Sequence, residues 1–164
     1  MRPSHLRDYT DADSHAVNAV ALSAFEQFSR HYQDWQGFSA NIKRMSSLAD
    51  VGEIIVAMLD NTLIGAVAYV GPGKPKAAYF HTEWPIMRML VVAPGARGRG
   101  VGKALAEACL ARARRDGAKV FALHTSEMMA VALPMYLRMG FEFHAPTLRI
   151  HGIPYNVYIK RFDG

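Results

Sequence analysis

The chain has 164 residues, 51% hydrophobic and 20% charged, with a net charge of +5. That length suits a single domain spanning residues 1–164 with a proper core, and that composition excludes a disordered chain. No apolar run approaches the roughly eighteen residues of a membrane span, and the N-terminal Met-Arg-Pro-Ser-His-Leu-Arg lacks the apolar stretch of a secretory signal. Taken in order, Leu6 to Tyr9 reads as a short first strand. Thr10 to Ser14 then offers N-cap candidates for a helix whose apolar period runs through Ala16, Val17, Val20, Ala21, Ala24, Phe25 and Phe28. His31 to Phe38 reads as a polar and aromatic connection, and a second helix is expected from about Ser39 to Ser47.

Glu53–Leu59 and Leu63–Val70 flank Asp60-Asn61-Thr62, which signals a hairpin. Gly71 to Lys76 breaks the pattern as an exposed loop, and Tyr79 to Trp84 is open between irregular chain and an extension of the next strand. Ile86 to Val92 is an apolar strand stopped by Pro94. Glycines 95, 98, 100 and 102 follow, and then a helix presenting Val101, Leu105, Ala108, Cys109 and Arg112 on one face. Asp116-Gly117 ends that helix. Val120 to Leu123 reads as a buried strand, so the strand, helix and strand make a parallel right-handed crossover. A helix ending Tyr136-Leu137-Arg138-Met139-Gly140-Phe141 comes next. Phe141–Ala145 and Tyr155–Lys160 complete the sheet, joined through Pro146 and the turn His151 to Pro154.

Small residues between a strand and a helix leave backbone N–H groups unpaired and facing one way, beside the positive end of the helix dipole. Arg97 and Arg99 add formal charge, so the junction suits a phosphate. A Walker A loop ending at Gly102-Lys103 would put its first glycine on Arg97, and Ala104 stands where a hydroxyl is needed. A dinucleotide fingerprint begun at Gly98 ends on Lys103, and begun at Gly100 it ends on Leu105. Neither fits. The pattern that fits is Arg-x-x-Gly-x-Gly, carried by Arg97, Gly100 and Gly102. With Tyr136-x-x-x-Gly140-Phe141 further on, the stretch Ile86 to Phe141 resembles the GNAT superfamily of acyl-CoA-dependent N-acetyltransferases.

The resemblance implies an α/β fold: a mixed, largely antiparallel sheet with a splayed parallel central strand pair, flanked by about four helices. It implies N-acetyl transfer from acetyl-CoA to a small-molecule or peptide amine by direct attack in a ternary complex, with no metal. The pyrophosphate would lie on Arg97, Gly98, Arg99, Gly100, Val101, Gly102 and Lys103, and backbone N–H groups of Leu90, Val91 and Val92 would meet the thioester carbonyl. Tyr136 would be the general acid. The first helical pair would help wall the acceptor site, where Phe28, Tyr32, Trp35 and Phe38 either line it or pack the helices on the sheet. Many relatives carry a strand glutamate where this chain has Ile86, so the base falls to Glu83 or His124, with His81 also near. A water relay or an amine of low pKa would serve equally. The family's CoA-contacting Asn corresponds to Met128-Met129-Ala130.

The missing glutamate keeps a second reading open, a catalytically silent acyl-CoA-binding module. A basic nucleic-acid-binding domain is a third, but no zinc-finger spacing or aromatic-basic strip supports it, so neither nucleic acid nor membrane is an expected partner. Arg112, Arg114 and Arg115 fall in a last helical turn, where a solvated cationic face accounts for them. The lone Cys109 forms no internal disulfide and reads as a small buried apolar side chain in a cytoplasmic protein. A homodimer stays open.

Overall fold

The computed structural model describes residues 3–147 and 149–162, so Met1 and Arg2 of the N-terminal stretch lie outside the described residues. The strands are β1 (His5–Asp8), β2 (Glu53–Leu59), β3 (Thr62–Val70), β4 (Ile86–Val92), β5 (Val120–Thr125), β6 (Glu142–Pro146) and β7 (Asn156–Arg161). They form a seven-stranded sheet in the order β1-β2-β3-β4-β5-β7-β6. Every neighbouring pair is antiparallel except β4 with β5, as a strand-helix-strand crossover requires. The helices are α1 (Ser14–Phe25), α2 (Trp35–Ile42), α3 (Val101–Arg115) and α4 (Ala132–Arg138).

Alternation along the strands divides the core between the two faces of the sheet. Ile55, Val67, Tyr69 and Phe121 pack under α3 and α4 with Leu105, Cys109 and Tyr136. Ile54, Val56, Ala66 and Ala68 turn the other way, towards Val17, Ala21, Phe38 and Ile42 of α1 and α2. Beside that second layer, Val70, Ile86, Ala122 and Val157 pack with Phe80. Each fully buried Leu, Val or Phe contributes about 1.5–3 kcal/mol.

The hairpin forms as expected, with Asp60 at φ +54° in its turn. The 79–84 stretch is irregular, and no strand is assigned there. Helix α2 begins at Trp35, four residues before the expected start. Asp34 caps it by accepting a hydrogen bond from the Gly37 amide at 3.0 Å. Rings then anchor the helix, since Phe38 stacks on Tyr32 with centroids 3.9 Å apart. Tyr32 and Phe38 are buried, whereas Phe28 and Trp35 are only partly covered. The second half of the expected helix is a tighter 3-10 segment, Met45–Asp50.

Helix α3 buries Val101, Leu105, Ala106, Cys109, Leu110 and Ala113. Its inner face is therefore turned from the one expected, because Arg112 belongs to an ion-pair network. Arg112 pairs with Asp8 and with Glu53, the latter at 2.6 Å, and Arg115 reaches Glu53 at 2.8 Å and Asp116 at 3.1 Å. Arg114 lies over the ring of Phe162 at 4.7 Å. The last turn of α3 is thus engaged with the chain's own acids and an aromatic ring, and not only with water.

Two irregularities in β4 open the sheet at its centre. Towards β5, its register pairing is Ile86 with Ala122 and goes no further. Towards β3, the register steps from Ala68–Arg88 to Ala66–Val91, so one extra residue sits on β4. Met89 takes up this bulge at φ +55°, an uncommon conformation for a residue with a side chain. Met87 faces the α3 and α4 layer, while Met89 and Val91 both face α1 and α2.

Candidate active site

Where β4 and β5 part, a cavity of about 280 Å³ opens, near the low end of small-molecule sites. Its walls come from both faces of the sheet. Met87, Leu123, Ala132 and Tyr136 belong to the layer under α3 and α4. Phe25, Phe38, Ile42 and Met89 belong to the layer under α1 and α2. Of the four aromatics expected at an acceptor wall, Phe38 is the one that lines it.

Tyr136 reaches the cavity from α4, its ring edge-on to Phe141 at 5.8 Å. The residue is 5% exposed, and burial pushes its phenol above the ordinary range, with the Cys109 thiol adding in the same direction. No hydrogen bond to its phenol occurs among the described residues. Cys109 is fully buried, and burial pushes its thiol up to about 12, which leaves it protonated and packed.

His124 lines the cavity from β5, which runs two residues beyond its expected end at Leu123. It stands among the rings of Tyr79, Phe80 and Tyr155, at 5.6, 5.9 and 5.3 Å. Its Nδ1 is buried without a hydrogen-bond partner among the described residues. Burial, and then the Arg88 charge, bring its pKa down to about 4, so the imidazole is neutral at pH 7. Glu83 is exposed in the loop before β4, near Lys76, and is not part of the cavity wall. His81 lies against Trp84, the rings tilted and 4.3 Å apart, also outside the wall.

The glycine loop lies at the C-terminal end of β4. Gly98 and Gly100 take φ of +81° and +77°, and a Cβ built on either would meet nothing within 4 Å. A Cβ on Gly102 would stand 3.7 Å from Val92 and 3.9 Å from Leu90, so the loop abuts the strand that forms the cavity wall. Gly100 caps α3 with no side chain to bond, which leaves the first-turn amides of a 15-residue helix available. Arg97 spends one donor on the Ala24 carbonyl at the end of α1, 3.3 Å away. Arg99 is exposed and Lys103 lies 3.8 Å from Glu107. An open cradle of bare amides beside free cationic charge fits a pyrophosphate.

Sequence reasoning passed over several wall residues. Arg88 lines the cavity and makes no ion pair among the described residues; its signal was a charge inside an otherwise apolar strand. Asn41, Ile150, His151 and Tyr155 also line it, and nothing in their local sequence announced that. Tyr155 is held in place by a buried hydroxyl–hydroxyl bond to Tyr32 of 2.5 Å. Met129 is part of the wall where the family's Asn would stand. It lies before α4, which starts only at Ala132.

The sequence model of the acetyltransferase (GNAT) family matches residues 15–141. A comparison with curated proteins finds no match. Among solved structures, PH1933 from Pyrococcus horikoshii OT3 superposes with a TM-score of 0.78 at 17% identity, covering 98% of this chain and 99% of that one. The PaiA N-acetyltransferase from Thermoplasma acidophilum, in complex with coenzyme A, gives 0.71 at 16% identity, with 98% and 99% covered. A GNAT-family acetyltransferase from Elizabethkingia anophelis with acetyl-CoA bound gives 0.66 at 15% identity, with 97% and 98% covered. At these identities the likeness is one of fold.

Proposed function

Since the chain belongs to the acetyltransferase (GNAT) family, we propose that it transfers the acetyl group of acetyl-CoA to a primary amine by direct attack, with both substrates bound together. The observation that carries this reading is the cavity at the unpaired edge of β4, lined by Tyr136 and by Leu90, the residue against which the glycine loop packs. Acetyl-CoA, when bound, supplies an acetyl group activated as a thioester.

The chain's own residues divide the work. Amides of Gly98 to Lys103, with Arg99, hold the pyrophosphate charge. Towards β5, the backbone of β4 beyond Ile86 has no strand partner. N–H groups of Leu90 to Val92 meet the acetyl carbonyl oxygen as negative charge grows on it, a contribution of about 3–4 kcal/mol. Tyr136 keeps its proton, because burial raises its pKa, and donates a hydrogen bond to the departing sulfur.

No carboxylate lines the cavity among the described residues, and Ile86, at 1% exposure, is not part of its wall. His124, near pKa 4, is a weak base at neutral pH. The amine therefore enters already neutral, its ammonium form disfavoured by Arg88 and the apolar walls.

Two measurements test this. Acetyl-CoA should raise the melting temperature where ATP and NAD do not, and a broad amine screen should release free thiol. Binding of acetyl-CoA without turnover on any amine would favour the silent binding module.

A further inference from the structure

If the cavity is the acetyltransferase site proposed above, on which the choice of acceptor rests, the character of its acceptor side bears on which amine it takes. The apolar part of the wall includes Phe25, Phe38, Ile42, Met89, Met129 and Ile150. These side chains ask for an apolar body. Phe38 is held by four rings, Tyr32 at 3.9 Å, His151 at 5.5 Å, Phe25 at 5.7 Å and Trp35 at 6.0 Å, so this part of the wall is preformed.

The charged part of the wall is one-sided. Among the described residues neither Asp nor Glu lines the cavity, whereas Arg88 does. Asp34 is the carboxylate nearest the wall residue His151, at 3.7 Å, but its side chain is 61% exposed and lies outside the lining. The other basic wall residues are His124, held neutral by burial, and His151, next to Asp34. Arg88 is a guanidinium without an acid partner among the described residues, and a planar fork of this kind binds a carboxylate through two parallel hydrogen bonds. Asn41 on α2 likewise has no side-chain hydrogen bond among the described residues and offers a further polar contact. A substrate with two or more ammonium groups would meet no counter-charge here and would lose hydration beside a like charge.

We propose that the acceptor is a small amino carboxylate with an apolar or aromatic side chain, an α-amino acid of the phenylalanine or leucine kind, held through its carboxylate by Arg88. Arg88 precedes Leu90 by two positions, across the Met89 bulge, and both line the cavity. The same contact that selects the carboxylate therefore brings the neighbouring amine towards the amides proposed to meet the acetyl carbonyl. In the reaction the amine lone pair forms the new C–N bond, the C–S bond breaks with its electrons on sulfur, and one amine proton ends on that sulfur. The products are the N-acetylamino acid and free CoA thiol.

The test uses the full chain and three probes: L-phenylalanine, phenethylamine (the same body without a carboxylate) and spermidine. Thiol release should give kcat/KM for phenylalanine roughly ten- to a hundredfold above phenethylamine, with spermidine lowest. Arg88→Met should bring the phenylalanine-to-phenethylamine ratio close to one, mainly through KM for phenylalanine. Its unliganded melting curve checks that the variant folds. Equal or better use of phenethylamine or spermidine, or an unchanged ratio in Arg88→Met, would overturn the assignment and leave the acetyltransferase reading standing. A protein that binds no acetyl-CoA would sink both. If acetyl-CoA binds but nothing is acetylated, saturation-transfer NMR on the CoA complex decides: no phenylalanine signal overturns the proposal.

Discussion

Replacing Gly100 separates folding strain from ligand binding, because the structure supplies its own control. Gly100 and Gly117 sit at φ of +77° and +72°, and a Cβ on either meets nothing within 4 Å. Gly100 opens α3 beside the cradle, whereas Gly117 follows its C-terminus. Forcing a side chain into the left-handed region costs about 1–2 kcal/mol at either position. For a chain of this size that is a fall in Tm of about 2–8 °C. Acetyl-CoA at a hundred times its Kd stabilises by about 2.7 kcal/mol, which raises Tm by roughly 5–11 °C. Differential scanning fluorimetry of Gly100→Val and Gly117→Val, each with and without acetyl-CoA, is the assay. Both variants should melt earlier than the parent, and only Gly117→Val should keep the ligand shift. A Gly100→Val protein that retains the full shift refutes the placement of the pyrophosphate on this loop.

Tyr136→Phe should lower kcat towards the low end of the usual ~10²–10⁴, since a thiolate leaves fairly well unaided. Because the phenol has no hydrogen-bond partner among the described residues, the same variant should melt within a degree or two of the parent. The pH profile of kcat/KM should rise until the acceptor amine itself is neutral. No inflection from His124 is expected near 6.5, because burial and Arg88 hold its pKa near 4; an inflection there that vanishes in His124→Gln would restore it as the base. Before the start of α1, Arg7 pairs with Asp13 at 2.8 Å and holds its carboxyl down to about 2. The folded pKa is depressed, so this stabilisation is present above the unfolded value of about 3.9 and is lost as pH falls towards 2. Asp13→Asn should therefore lower Tm at pH 7, with the gap closing across that acid range.

What the chain disclosed in advance follows from how locally each feature is encoded. The glycine loop was legible because positive φ and bare amides demand a residue type that the sequence displays. The strands of the hairpin were legible because they are near-continuous apolar runs, buried on both faces, and the Asp60 turn needs a residue that tolerates left-handed backbone. The start of helix α2 was not legible, because it depends on one carboxylate cap at Asp34 and on ring stacking between Tyr32 and Phe38, which periodicity does not register. The β4 bulge left no local trace at all: Met89 at φ +55° is a compromise between the pairing demands of β3 and the packing beneath it. Arg88 could have been found, since a lone charge in an apolar strand must go somewhere wet or be paired.

One consequence of the splayed strands concerns mechanics. Four strands, β1 to β4, are laced together on one side and three, β5, β7 and β6, on the other. Between these two panels the backbone pairing amounts to a single rung, Ile86 with Ala122. The seam is thus the direction in which the sheet has fewest bonds to break. A molecule threaded along it would act as a stitch, bracing the two panels against each other for as long as it stays.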